Sequence, residues 1–236
     1  MQKNGHWKNN NEITDVFFDL DHTLWDFEKN SALAFSRILE EHSMGITLED
    51  FLKVYVPVNH RCWKEYREGK INQHELRHRR LQSTFSVLEY PVEDRFLDKL
   101  SEDYIHYLPE NNHLLANAKD ILSYLESGYR LHIITNGFEE VQDKKLANAG
   151  IGSYFVHVVN SEMAGVKKPH PAIFEYALQK AGIQAGNAVM IGDDLEADVL
   201  GAINAGMHAI HYNTRDQEKY EGIVTISDLL EIKEYL

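Results

Sequence analysis

Short apolar segments that alternate with helical stretches ending at glycine most constrain what this chain can fold into. The segments are bounded by polar residues or glycine, as is typical of buried strands. Glycine readily adopts the left-handed conformation that ends a helix, so each such glycine marks a return from helix to strand. The repeated pattern predicts an α/β fold with a doubly wound parallel sheet. The apolar segments are Val16–Leu20, Leu131–Ile134, Phe155–Val159, Ala188–Ile191, His208–Tyr212 and a weaker one at Ile223–Ile226.

The connection between the first two predicted strands is far longer than a crossover requires. It runs from residue 21 to residue 135, whereas about a dozen residues suffice for a crossover. Residues 28–110 contain amphipathic stretches in place of strands, so they predict an inserted helical cap. Residues 13–27 and 111–236 then form a Rossmann-like catalytic core, and residues 1–12, rich in Asn and Lys, are expected to be a flexible extension.

The predicted cap contains several amphipathic stretches. Two of its sequence patterns have the spacing of helix N-terminal capping pairs, Thr47 with Asp50 and Asn72 with Glu75. The amphipathic stretches are Ser31–Glu41, Glu49–Val54, Cys62–Arg67, Gln73–Leu88 and Val92–Tyr107.

The charge limits which partners the chain can bind, and the cysteine content limits its disulfides and metal sites. Twenty-four Lys and Arg against 37 Asp and Glu give a net charge of −13, which argues against a nucleic-acid polymer or an anionic membrane. Cys62 is the only cysteine, so an internal disulfide and multi-cysteine metal sites are excluded. The polar start and the lack of a long apolar window predict a cytoplasmic protein. The oligomeric state is left open, a homo-oligomer included.

Polar side chains follow four of the predicted strands. Because ligands of open α/β sheets bind beyond the carboxyl ends of the strands, these side chains are the candidate functional groups. Several of them are carboxylates, which would repel each other without a cation between them. A hard divalent metal with oxygen ligands, most simply Mg²⁺, would resolve this repulsion. The groups lie in Asp19 to Thr23, Thr135 to Gly137, Lys167 to Pro169 and Gly192 to Asp194.

These residues form four motifs in chain order, Asp19-x-Asp21-x-Thr23, Thr135, Lys168 and Gly192-Asp193-x-x-x-x-Asp198. In this order the chain resembles the haloacid dehalogenase-like hydrolases over most of its length. The resemblance implies a phosphoryl-transfer enzyme with Asp19 as nucleophile and Asp21 as general acid and base. It also implies an inserted helical cap between the first and second motifs.

The resemblance further implies a metal site. Mg²⁺ would be held by Asp19, Asp193 and the main-chain carbonyl of Asp21, and Asp194 would bind it directly or through water. The cation would shield the phosphate from the negative charge of the aspartates.

Phosphate binding is assigned in the same way. Lys168 and the Thr135 hydroxyl would hold phosphate oxygens, and the Asn136 backbone amide would add a donor. Asp198 would act as a supporting residue that orients Lys168.

The choice between two adjacent lysines follows from the pattern Lys-Pro-x-Pro. Lys168 directly precedes Pro169 and matches it, whereas Lys167 is interpreted as a solvated charge. His170 stands where the family often has Asp, and the sequence assigns it no role.

The predicted substrate is a small phosphorylated metabolite, since a helical cap should exclude large ones. The segment Asp19 to Ser31 is most similar to the pyrimidine 5′-nucleotidase subgroup, which predicts a nucleoside 5′-monophosphate. Asp21 argues against dehalogenation, which needs no proton donor there. A sugar phosphomutase or phosphotransferase and an inorganic pyrophosphatase could use the same site. Gly69 and Lys70 are the candidate cap loop that reaches the substrate.

Two interpretations from other functional classes remain open. His74 and His78 match the His-Glu-x-x-His pattern of zinc peptidases, although Arg77 would bring charge into such a cleft and no third ligand can be assigned. A solvated cap helix explains the same pattern. The chain could also be a non-catalytic module that binds phosphate.

Overall fold

The computed structural model describes residues 13–214 and 220–236, so the predicted extension at 1–12 lies outside the described residues. The chain divides into two compact units. One contains the residues up to Phe27 together with Asn112–Leu236, and the other is Glu28–Asn111. The sequence placed the helical insertion at 28–110.

The first unit is built on a sheet of six parallel strands in the order β3-β2-β1-β4-β5-β6. The prediction of a doubly wound α/β fold is therefore confirmed. The strand at the centre, β1, pairs with β2 on one side and β4 on the other, so the chain reverses its direction of travel across the sheet there. The strands are β1 (Asp15–Phe18), β2 (Arg130–Thr135), β3 (Phe155–Asn160), β4 (Ala188–Gly192), β5 (His208–Tyr212) and β6 (Val224–Ile226).

One face of this sheet is covered by α8 (Pro171–Ala181) and α9 (Gly201–Asn204). Phe17 of β1 and Met190 of β4 pack there against Phe174 of α8, within a cluster that is almost fully buried. Because successive strand residues point to opposite faces, the equally buried Val16 and Phe18 require cover on the other face. A sheet buried on both sides explains why its strands are continuous apolar runs.

Helices of the first unit end close to the glycines of the predicted pattern. Gly182, with φ of +72°, ends α8, and its amide bonds to the carbonyls of Leu178 and Gln179. The remaining helices of this unit are α5 (Ala118–Leu125), α6 (Glu139–Asn148) and α7 (Ser161–Ala164), with a π-helical turn at Leu195–Leu200 and 3₁₀ turns at Gly152–Tyr154, Ala185–Asn187 and Leu229–Glu234.

The second unit consists of α1 (Phe27–Glu41), α2 (Leu48–Arg67), α3 (Gln73–Val87), α4 (Asp94–Tyr107) and a 3₁₀ turn at Leu108–Glu110. Both predicted capping pairs are present, and Asn72 with Glu75 forms a complete capping box. Its core is aromatic, because Phe35 lies with its ring centroid 4.4 Å from those of Tyr55 and Tyr104.

The amphipathic stretches Glu49–Val54 and Cys62–Arg67 belong to one helix, because α2 runs without a break through Pro57. Proline removes one helical hydrogen bond and normally kinks or ends a helix. Here the buried face of α2, which includes Tyr55 before and Val58 and Cys62 after the proline, continues at helical spacing. Packing of that face therefore overrides the local preference.

No helix in the described ranges combines the length and the apolar character needed to cross a membrane.

Candidate active site

The carboxyl ends of β1 and β4 bring two predicted site residues together. Phe18 is in register with Ile191, and the Asp19 amide donates a 2.9 Å hydrogen bond to the Ile191 carbonyl. Asp193 follows β4 directly, so Asp19 and Asp193 leave neighbouring strands at the same edge of the sheet. This edge is the point at which the strand order reverses, where ligands of open α/β sheets bind.

The loop after β1 begins earlier than predicted. The sequence extended the strand to Leu20, but β1 ends at Phe18. The Leu20 carbonyl accepts hydrogen bonds from the amides of Leu24 and Trp25, so the chain turns at this point. Leu20 is fully buried within the turn. Because it is apolar, the sequence pattern included it in the buried strand.

Lys168 is the centre of a buried ion cluster, which we call the Lys168 cluster and define as Lys168, Asp19 and Asp198. Its ammonium Nζ lies 2.6 Å from Asp19 Oδ1 and 2.7 Å from Asp198 Oδ1. The ammonium also donates a 2.6 Å hydrogen bond to the Ile134 carbonyl. Two carboxylates therefore share one ammonium group, and all three residues are buried.

Burial changes the proton affinity of the Lys168 cluster. It raises the pKa of Asp19 to about 7, against the lowering effect of the Lys168 ammonium and with a further increase from Asp198. Burial also raises the pKa of Asp198, although Lys168 again opposes it. For Lys168, burial lowers the pKa, but the two carboxylates outweigh it and the pKa is raised. With both carboxylates ionised, the cluster carries one negative charge more than its single ammonium balances, and the raised pKa values reflect the cost of that charge.

A metal cation fits this surplus of negative charge. Carboxylate oxygens of Asp19, Asp193 and Asp198 all lie within 4.8 Å of one another. Oxygen atoms are the ligands that Mg²⁺ prefers, so the donor set suits this ion. The sequence assigned Asp198 only a supporting role. The Asp194 side chain accepts a 2.8 Å hydrogen bond from the Ala197 amide and caps the π-helical turn, and its role as a metal ligand stays a prediction.

Gly192 allows the Asp198 side chain to approach the end of β4. A Cβ atom at this position would overlap the Asp198 carboxyl group. The glycine of the fourth motif is therefore a packing requirement of the Lys168 cluster.

Asn136 positions Lys168 through its side chain, a role that the sequence analysis missed. The Asn136 carbonyl oxygen Oδ1 accepts a 2.8 Å hydrogen bond from the Lys168 amide. The Asn136 Nδ2 group donates a 3.0 Å hydrogen bond to the Lys168 carbonyl. This pair of hydrogen bonds joins the loop after β2 to the segment before α8. The two residues are 32 positions apart, so no local sequence signal indicates the contact.

The Thr135 hydroxyl at the end of β2 accepts two hydrogen bonds. The donors are the Gly137 amide at 3.0 Å and Gln142 Nε2 at 2.8 Å. A hydroxyl oxygen has two acceptor positions and one proton. Any further hydrogen bond of this hydroxyl must be donated by it, which suits contact with a phosphate oxygen.

Asp21 takes part in a second group of residues, which we call the Lys145 cluster and define as Lys145, Asp21 and Gln142. Lys145 Nζ lies 2.6 Å and 2.9 Å from the two Asp21 carboxylate oxygens. Gln142 Nε2 donates to Asp21 Oδ2 at 3.0 Å as well as to Thr135. Neither residue of α6 was predicted from the sequence. Their spacing of three places them on one helix face, which is the only signal they offered.

His170 caps a helix. It precedes Pro171 at the start of α8, and its Nδ1 accepts a 3.2 Å hydrogen bond from the Ala172 amide. A polar side chain at this position satisfies one of the amides that a helix start leaves unbonded. This contact provides a structural explanation for the departure from the family pattern.

Gly69 and Lys70 follow α2 in the helical unit. Gly69 has φ of +72°, a conformation that favours glycine. Lys70 is exposed, and its Nζ lies 2.5 Å from Glu68 Oε2. Their role in a substrate loop stays a prediction.

His74 and His78 lie on α3 with their ring centroids 6.4 Å apart. Among the residues described in the helical unit, no third imidazole, thiol or carboxylate completes a metal site with them. A catalytic zinc normally has three protein ligands, so the arrangement gives the peptidase hypothesis no support.

Comparison with known proteins agrees with the geometry. The family model described as haloacid dehalogenase-like hydrolase matches residues 15–206. The pyrimidine 5′-nucleotidase YjjG of Escherichia coli is 36% identical over 225 residues, which cover 94% of this chain and 96% of that protein. The pyrimidine 5′-nucleotidase PynA of Streptococcus pneumoniae is 34% identical over 225 residues, covering 92% and 93%.

A solved structure extends this similarity to the fold. YfnB of Bacillus subtilis, crystallised with bound magnesium, has a TM-score of 0.85 and 27% identity, with 94% of this chain and 97% of that chain covered. The motif order, the sheet that places the motifs at one edge, and the match over most of the sequence lead to one conclusion. The chain is an enzyme that belongs to the haloacid dehalogenase-like hydrolase family.

Proposed function

We propose that the protein is a Mg²⁺-dependent phosphatase that acts through an aspartyl-phosphate on small phosphorylated metabolites, foremost nucleoside 5′-monophosphates. The observation that carries the proposal is the Lys168 cluster. It presents a carboxylate at a strand end beside a buried ammonium, with Asp193 close enough to share a cation. Such a site combines a nucleophile with neutralisation of phosphate charge.

In the first step an oxygen of the Asp19 carboxylate attacks the phosphorus of the ester. The bond between Asp19 and phosphorus forms as the bond between phosphorus and the ester oxygen breaks. Asp21 gives its proton to the departing oxygen, so an alcohol leaves in place of an alkoxide. Lys168 and the Thr135 hydroxyl hold the phosphate oxygens during the transfer.

In the second step water attacks the phosphorus of the aspartyl-phosphate. Asp21, now a carboxylate, takes the proton of that water. Inorganic phosphate leaves and the Asp19 carboxylate is restored. Asp21 thus acts once as acid and once as base, and ends in its starting protonation state.

The residues that would hold Mg²⁺ are Asp19 and Asp193, with the Asp198 carboxylate also in reach. The Asp21 main-chain carbonyl and Asp194 stay predicted ligands. When bound, the ion would neutralise charge on the phosphate and on the nucleophile.

The substrate class is supported by the relatives. Two proteins that match more than nine-tenths of this chain are named as pyrimidine 5′-nucleotidases. The helical unit, Glu28–Asn111, is proposed as the cap that admits small substrates, with Gly69 and Lys70 in its substrate loop. A polymer of nucleotides or a membrane is not the proposed partner.

The test is phosphate release from a panel of phosphorylated metabolites, measured with Mg²⁺ and again with chelator. We expect turnover of uridine 5′-monophosphate that chelator removes and added Mg²⁺ restores. Asp19→Asn should lower turnover by at least about 10⁴-fold, since a nucleophile has no substitute. The exposed Asp143→Asn, which removes the same charge from α6, is the matched control and should keep full activity.

Other outcomes would redirect the proposal. Full Mg²⁺-dependent activity of Asp19→Asn would exclude the assigned nucleophile. Preference for pyrophosphate would indicate a pyrophosphatase. Formation of a sugar bisphosphate in place of free phosphate would indicate a phosphomutase.

A further inference from the structure

We propose that Lys145 and Gln142 are positioning residues that hold Asp21 in place for its proton transfers. The inference rests on the proposed function, because it concerns the general acid and base of that reaction. Neither residue belongs to the four sequence motifs. Both lie on α6, the helix that follows β2, and both are buried.

Lys145 contacts both oxygens of the Asp21 carboxylate. Its Nζ lies within 2.9 Å of both oxygens, and its side chain is 3% exposed. The same ammonium lies 4.3 Å from the centroid of the Trp25 ring, which the turn after Asp21 brings next to it. The negative face of an aromatic ring attracts a cation. Lys145 is therefore held from two sides, which fixes the carboxylate that it contacts.

Gln142 links the same carboxylate to the predicted phosphate-binding residue. One side-chain nitrogen, Nε2, donates to Asp21 Oδ2 and to the Thr135 hydroxyl. The two protons of this nitrogen are thus directed at the end of β2 and at the loop after β1. The distance between the proton donor and the phosphate contact is set by one planar amide group.

Gly137 has no side chain, which leaves room for this amide. A Cβ atom at Gly137 would overlap the Gln142 side-chain amide. The loop after β2 therefore leaves room for Gln142 at the place where it meets Thr135. This close approach is a second observation, independent of the hydrogen bonds, that the amide belongs in this position.

These contacts point to catalysis more than to stability. A buried ammonium costs free energy, and an apolar side chain in its place is often neutral or stabilising. Proton transfer, in contrast, requires the acid within hydrogen-bond reach of the reacting oxygen. A small displacement of Asp21 would then slow the reaction without unfolding the protein.

The experiment compares two esters that differ in their need for a proton donor. Uridine 5′-monophosphate must release an alkoxide unless Asp21 protonates it, whereas p-nitrophenyl phosphate releases a stable anion without help. The specificity constant kcat/KM reports the steps up to the aspartyl-phosphate, in which Asp21 acts as acid. Loss of acid positioning therefore lowers kcat/KM for the nucleotide only, while a general structural defect lowers both.

For Lys145→Met we expect kcat/KM for uridine 5′-monophosphate to fall by about 30-fold, less than the 10² to 10⁴ that general acid catalysis contributes, because Asp21 itself is still present. The value for p-nitrophenyl phosphate should change by less than about threefold. Lys145→Arg, which keeps the charge, should restore most of the loss. The exposed neighbour Lys144→Met is the matched control and should leave both substrates unaffected.

Gln142→Met keeps the length of the side chain but removes the amide. We expect kcat/KM to fall for both esters, because the Thr135 hydroxyl is no longer oriented and KM rises. The loss for the nucleotide should exceed the loss for p-nitrophenyl phosphate by at least about tenfold, and this excess is the part that reports the positioning of Asp21. Thermal unfolding of each variant is measured alongside, so that Gln142→Met decides the question if Lys145→Met does not fold.

An equal loss on both substrates, or no loss on either, would overturn the inference while the proposed function stands. If the unaltered protein hydrolysed neither ester, the proposed function would fail and the inference with it.

Discussion

The Lys168 cluster and the Lys145 cluster each pair a lysine with a motif aspartate, but they differ in charge and in access to water. In the Lys168 cluster one ammonium faces two carboxylates, and all three side chains are at most 11% exposed. In the Lys145 cluster one ammonium faces one carboxylate and a neutral amide, and the Asp21 side chain is 21% exposed.

The difference corresponds to the two tasks of the proposed reaction. A buried group with surplus negative charge is unstable alone and gains from a cation, so the Lys168 cluster suits metal and phosphate binding. A balanced pair that reaches solvent can exchange protons with substrate and water, so the Lys145 cluster suits acid and base catalysis. The two clusters thus differ in charge balance in the way that the proposed roles of Asp19 and Asp21 require.

The largest effect is expected for Lys168→Met. It leaves Asp19 and Asp198 buried without their shared ammonium, which should lower turnover by about 10³-fold. The free energy of unfolding should fall by about 3–5 kcal/mol, the cost of breaking a buried ion pair. Turnover of uridine 5′-monophosphate and urea unfolding measure the two quantities.

Lys167→Met is the matched control for this prediction. Lys167 is the adjacent, half-buried lysine, and its replacement should leave turnover within about threefold of the unaltered protein. A larger loss for Lys167→Met than for Lys168→Met would show that the wrong lysine was assigned.

Smaller losses of turnover are expected when the two glycines beside the clusters are replaced by alanine. Gly192→Ala places a Cβ against Asp198, close to the backbone, whereas Gly137→Ala meets the flexible end of Gln142. We expect turnover to fall by about 10²-fold for Gly192→Ala and by about tenfold for Gly137→Ala, since small displacements of catalytic groups are costly. Steady-state kinetics on both variants checks the order. The reverse order would mean that the Lys145 cluster is the more rigid of the two.

The remaining effect concerns the dependence of stability on pH and not turnover. In the metal-free protein the pKa of Asp19 is raised by burial from 3.8 to about 7. Between these values the folded state holds a proton that the unfolded state has released, so the contribution of Asp19 to the free energy of unfolding decreases as pH rises. Asp19→Asn removes this dependence. The stability of Asp19→Asn relative to the unaltered protein should therefore increase from about pH 4 to pH 7 and then level off.

Urea unfolding in chelator at several pH values measures this difference. Asp143→Asn, at an exposed position of α6, should show no comparable trend. A difference for Asp19→Asn that is constant with pH would contradict the assigned effect of burial.

Much of the fold was accessible from local patterns. The segment His208–Tyr212 was predicted with the bounds that β5 has, because a buried parallel strand is a short apolar run with polar ends. Leu20 misled the same reasoning, and the amphipathic stretches on either side of Pro57 did not reveal that they form one helix. Leu20 is apolar but lies in a turn, and Pro57 disfavours a helix that packing nevertheless maintains. In both places tertiary contacts override the local preference.

The site residues could be predicted from the sequence where a polar or charged side chain directly follows a strand. Asp19 and Asp193 follow strands directly, so their convergence at one edge could be predicted from the topology. Lys145 could not be distinguished from Lys144 in this way, because both are lysines of one helix. Only the rotation of α6 against the sheet makes one of them buried and leaves the other exposed.

The sequence alone determined which groups stand at the ends of the strands, because the periodicity of apolar residues and the glycine helix ends are local properties of the chain. Tertiary structure alone decided how charge is shared among those groups. Ion pairs such as Lys168 with Asp19 join residues 149 positions apart. The sequence gives no information on the distance between their side chains or on how deeply they are buried. Distance and burial set the strength of a charge interaction, and both arise only when the strands and helices pack.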